Sequence, residues 1–69
     1  MAKVDKNVTI GELLRIDTGI ANLLMGAGMH CVGCPSSAME TLEEAAMVHG
    51  FDVDVLVDDI NNYLEYKAV

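Results

Sequence analysis

The chain has 69 residues, a mass of 7.4 kDa, a hydrophobic fraction of 52% and a formal charge of −7 from 11 acidic and 4 basic side chains. So short a chain is expected to form a single small domain over residues 1–69, with a modest core of the kind often helped by a disulfide, a metal or a partner chain. Its apolar content argues against disorder. Its shortage of cations argues against nucleic acid, whose counterions Lys and Arg must displace, and against an anionic membrane surface.

Along the chain, Thr9-Ile10-Gly11-Glu12 reads as a capping box. With Val8 and Leu13 in the staple positions, it predicts a short helix from Ile10 to about Ile16. Asp17 or Thr18 is expected to cap a second helix bearing Ile20, Leu23 and Leu24 on one face, ended by Gly26 and Gly28. Met29 to Ala38 reads as a loop, punctuated by Gly33 and Pro35. Thr41-Leu42-Glu43-Glu44 is a second capping box, opening a helix through Leu42, Ala45, Ala46 and Met47 to His49, with Gly50 just beyond. Asp52 caps a last helix that repeats apolar residues at Val53, Leu56, Val57, Ile60 and Leu64. No segment alternates as a strand does. The prediction is an all-α, compact bundle of about four short helices, with the cysteines in the loop between the second and third.

No targeting segment is visible, and the longest weakly polar stretch, Ile20 to Met29, is too short to cross a bilayer. The expected compartment is the cytoplasm, where thiols are mostly kept reduced. Charge is divided unevenly. Lys3, Lys6 and Arg15 balance Asp5, Glu12 and Asp17, so the whole net charge falls in residues 40–69. Between Asp17 and Glu40 there is no charged side chain, and both cysteines lie in that gap. It is either core plus a tight loop, or a contact surface around the thiols.

Cys31-Val32-Gly33-Cys34 holds the chain's 2 cysteines in a C-x-x-C arrangement. A disulfide closing so small a loop removes little unfolded-state entropy, roughly 2 kcal/mol against about 3 for a fifteen-residue loop. The pair is thus poorly placed as a staple and well placed as a redox switch, since the second thiol is always near to resolve a mixed disulfide. His30, beside Cys31, offers positive charge to stabilise a thiolate, and Gly33 lets backbone approach sulfur. Glu40, Glu43 and Glu44 would oppose a thiolate if close. The bland alternative is two small buried hydrophobes.

A closed zinc or iron–sulfur site needs four ligands, and this chain has one pair. A complete site would take one pair from each of two chains. His49 reads as a helix-terminal residue favoured by the macrodipole, not a ligand. Asp58-Asp59 and Glu43-Glu44 read as solvated helix faces. Met25, Met29, Met39 and Met47 read as core or loop packing, and Tyr63 and Tyr66 as a cover for the open end of the bundle.

The run from Gly28 to Pro35 is followed by Glu40-Thr41-Leu42-Glu43-Glu44-Ala45-Ala46 and by His49-Gly50-Phe51-Asp52-Val53-Asp54. Together with the opening Thr9-Ile10-Gly11-Glu12, these resemble the hybrid-cluster-protein-associated redox disulfide domain, a small bacterial and archaeal domain of otherwise unknown function. The resemblance implies a compact all-α domain, alone or fused to others, with a redox-active disulfide at Cys31 and Cys34. It implies no established substrate, cofactor or catalytic acid.

Two functions follow as expectations. In the first, Cys31 or Cys34 attacks a partner disulfide or accepts oxidation, the other resolves it, and His30 tunes the thiolate; the partner is a redox protein and no cofactor is called for. In the second, the domain is a non-enzymatic docking module for a redox enzyme, and the cysteines either hold zinc or an iron–sulfur cluster shared between the two chains of a homodimer or merely pack.

Overall fold

The computed structural model describes residues 3–29 and 35–68. Both capping boxes form. Thr9 Oγ1 accepts from the Glu12 amide at 3.1 Å, and Glu12 Oε1 accepts from the Thr9 amide at 3.0 Å, opening α1 (Ile10–Ile16). Thr41 Oγ1 accepts from the Glu44 amide at 3.1 Å, and Glu44 Oε1 from the Thr41 amide at 2.9 Å, opening α4 (Leu42–His49). The two starts then satisfy one another. Ile10 N–H donates to the Glu40 carbonyl at 2.9 Å, and Leu42 N–H to the Val8 carbonyl at 3.0 Å, so Thr9 and Thr41 form an isolated antiparallel bridge. Glu43 N–H adds a bond to the Lys6 carbonyl at 3.0 Å. First-turn amides have no partner within their own helix; here each helix entry supplies acceptors to the other.

The second helix, α2 (Ile20–Gly26), has Gly19 in the cap position with no side-chain cap of its own. Thr18 makes no side-chain cap there, and Asp17 works one step earlier: its Oδ1 accepts from the Gly19 amide at 2.7 Å. The segment 35–38, expected as loop, is instead a helical turn, α3 (Pro35–Ala38). Proline suits a first helical position, where its missing N–H costs nothing and its fixed φ is already helical. Gly50, at φ +77°, stops α4, and Asp52 starts α5 (Val53–Ala68) by accepting from the Asp54 amide at 3.0 Å.

One apolar core joins these elements. Ile10, Leu13, Ile20, Leu24, Met29, Leu42 and Ile60 are fully buried, with Ala45, Leu56 and Leu64 beside them. Burying each large aliphatic side chain favours folding by about 1.5–3 kcal/mol. The helical faces read from the sequence are therefore the faces that pack. The methionines divide differently from expectation: Met29 is in the core, whereas Met39 and Met47 are about four-fifths exposed, at 81% and 79%. Met47 shares α4 with Ala45 and Ala46 but follows them onto the outer side of the helix. The architecture is an all-α bundle, and among the described residues there is no strand.

Candidate functional site

Cys31, Cys34 and His30, the residues that carry the expected chemistry, lie outside the described residues, as does their expected placement in a loop. The stems on either side of them are well defined. On the upstream side, α2 ends in a Schellman motif: Met29 N–H reaches back to the Leu24 carbonyl at 3.2 Å and Gly28 N–H to the Met25 carbonyl at 3.0 Å. This wrap requires a left-handed residue, and Gly28 supplies it at φ +108°. Met29 then packs into the core at 1% exposure, beside the buried Leu24. On the downstream side, α3 begins at Pro35, immediately after Cys34 in the chain, and Ala38 sits tightly on Gly11 of α1. A methyl group at Gly11 would lie 3.1 Å from the Ala38 carbonyl oxygen.

Of the three glutamates that might oppose a thiolate, two have other employment. Glu44 closes its capping box, and Glu43 pairs with Lys6 at 3.1 Å, an exposed bridge that holds the Lys6 pKa above its ordinary value chiefly through the side-chain hydrogen bond. Glu12, the counterpart of Glu44, has its pKa lowered, first by the Thr9 backbone N–H and then by the Thr9 hydroxyl. His49 is the exposed last residue of α4. Among the described residues, no three His, Cys, Asp or Glu side chains stand together as a metal cluster.

Two features escaped the sequence reading. Tyr63, expected only to cover the bundle, reaches from α5 to the α1–α2 link. Its hydroxyl donates to Asp17 Oδ1 at 3.1 Å, while Lys67 stands 3.6 Å from Asp17 Oδ2 and 5.9 Å from the centre of the Tyr63 ring. The Asp17 carboxyl is held below its usual pKa, first by the Gly19 N–H, with smaller help from Tyr63 and Lys67 and partial opposition from desolvation. The second feature is a solvent-open groove of about 430 Å³ between α2 and the start of α5. Leu23, Ala27, Phe51 and Leu56 form its apolar lining, and Asp52 and Asp59 stand on it. The only sequence signal for it is the spacing of Asp52, Val55, Leu56 and Asp59, which falls on one face of a helix.

The capped bundle, whose two fixed stems lead into a cysteine pair, defines a class of small helical domain without yet defining a reaction. Residues 4–57 match a family described as a domain of unknown function (DUF1858), and the chain belongs to that family. It is also similar to a protein from Clostridium thermocellum known from an NMR solution structure. The two are 45% identical over 97% of this chain and 96% of the other, with a TM-score of 0.87. No curated protein matches the chain at a significant level. No helix among the described residues is long and apolar enough to cross a membrane.

Proposed function

We propose that the chain is a thiol–disulfide exchange module of the hybrid-cluster-protein-associated redox disulfide type, acting in the cytoplasm on a redox protein. The observation that carries this reading is the C-x-x-C pair in a stretch free of charged side chains. Support comes from the two stems, which commit Met29 to the core and Ala38 to α1 and so limit how far the ends of the cysteine segment can part. In the forward step, the thiolate of Cys31 attacks a partner disulfide and releases one partner thiolate. Cys34, deprotonated, then attacks the mixed disulfide and releases the second. Two electrons pass to the partner, which leaves as a dithiol, and the chain is left with a Cys31–Cys34 disulfide. His30 stabilises the attacking thiolate.

Titration of the full chain against glutathione buffers tests this. A single two-electron transition is expected at a potential between roughly −180 and −320 mV. It should be accompanied by a mass loss of two hydrogens and abolished in Cys31→Ser and in Cys34→Ser. A chain that shows no transition across that range is not an exchange module. The concentration of net charge in residues 40–69 favours docking as a second reading. A doubled native mass carrying added zinc or iron, lost on chelation, would mark the version in which two chains share a metal.

A further inference from the structure

We propose that the groove between α2 and α5 docks a cationic amphipathic helix of a partner protein, one with basic residues two turns apart and apolar residues between them. The α5 wall sets this pattern. Asp52, Val55, Leu56 and Asp59 follow one another at three, four and seven residues, so two carboxylates about 10 Å apart flank an apolar centre. Val55 is left 56% exposed there, next to the half-buried Phe51. On the facing wall, Asn22 and Leu23 of α2 are followed by Gly26 and Ala27, which leave that end open, and a methyl group added at Gly26 would meet nothing within 4 Å. A volume of about 430 Å³ is at the small end of ligand pockets, roughly 300–1,000 Å³, so the groove takes the anchoring side chains of a segment and not a folded surface.

Charge selects the occupant. No Lys or Arg lines the groove, and the two ion pairs found among the described residues hold Lys6 at Glu43 and Lys67 at Asp17. A second copy of the chain would bring its own Asp52 and Asp59 against these, which like-charge repulsion disfavours. A partner helix with Lys or Arg at positions i and i+7 and Leu at i+3 and i+4 complements both the carboxylates and the apolar centre. The site opens beside the C-terminal end of α2. The docking goes beyond the exchange reading and does not require the sulfurs to react.

The probe is a labelled, thiol-free synthetic peptide with that Lys and Leu spacing, titrated against the full chain by fluorescence anisotropy. Saturable binding is expected, unchanged in the Cys31→Ser, Cys34→Ser double variant, which keeps this result separate from the redox reading. Gly26→Leu fills the groove at a helical position with open space and should weaken binding at least about tenfold, with circular dichroism unchanged. Asp59→Asn should weaken it several-fold and flatten its salt dependence. Asp54→Asn removes the same charge from outside the groove and should leave affinity within about twofold. The proposal is overturned if Asp54→Asn and Asp59→Asn weaken binding equally, if neither Gly26→Leu nor Asp59→Asn weakens it, or if a dimer of the free chain is dispersed by Gly26→Leu.

Discussion

At its C-terminal end, α2 is stopped by the Met29 and Gly28 amides reaching back to Leu24 and Met25, through a glycine whose left-handed backbone makes these bonds possible. At its N-terminal end it is steadied by the Asp17 carboxylate, which Tyr63 holds from 46 residues away. The glycines at the two ends differ accordingly. Gly28 is there for its φ, and a methyl group added to it would meet nothing within 4 Å. Gly19 has an ordinary helical φ of −63°, but its missing side chain is where the Tyr63 hydroxyl lies, so a methyl group there would collide with it. Stopping a helix can be written into six consecutive residues; seating its start against another helix needs the finished fold.

The contrast can be attacked directly at Gly19. Gly19→Ala should destabilise the protein by about 1–3 kcal/mol, because Tyr63 must leave Asp17 to make room. Tyr63→Phe removes the colliding hydroxyl, so the double variant should be more stable than the sum of the single changes implies, by about 0.5 kcal/mol or more in a urea-denaturation cycle. Strict additivity would mean that the two residues do not share the space.

A smaller effect belongs to Gly28. Gly28→Ala meets no atom and bears only the backbone cost of a positive φ, about 1–2 kcal/mol. Tyr63→Phe should leave that cost unchanged, since the two ends of α2 are held independently. If the loss at Gly28 instead varies with Tyr63, the ends are coupled.

The smallest effect is the pH response of Asp17. Its folded pKa lies below its unfolded value, so its contribution is complete above the unfolded value, about 3.9, and is lost as pH falls through the folded one. Melting temperature followed from about pH 5 to pH 2 should therefore drop less steeply in Asp17→Asn than in the parent chain. An identical slope would show that Asp17 is no better bonded folded than unfolded.

These particulars explain what could be read from the chain alone. Thr9 with Glu12, Thr41 with Glu44, and Gly50 act on their immediate neighbours, so α1 and α4 begin and end where local chemistry puts them. The buried residues of α5 were legible from their spacing. Tyr63 on Asp17 was not, because no local pattern ties residue 63 to residue 17. The helical turn at Pro35–Ala38 is not legible in the sequence because proline and small polar residues also mark loops, and the contact of Ala38 with Gly11 joins residues far apart in the chain. Met47, 79% exposed, is ambiguous in sequence because methionine is apolar enough for a core and flexible enough for a surface. For the candidate site, spacing made the cysteine pair visible, whereas the groove required two helices to be set side by side.

The crossed bonds between the helix entries have a further consequence. Ile10 and Leu42 carry first-turn amides, a class that ordinarily frays and exchanges its hydrogen with solvent early. Here each is bonded to a carbonyl from the other end of a long excursion of chain, at Glu40 and Val8. Each bond braces the segment that carries the other, so native-state hydrogen exchange is expected to find these two amides slower than first-turn amides left to solvent.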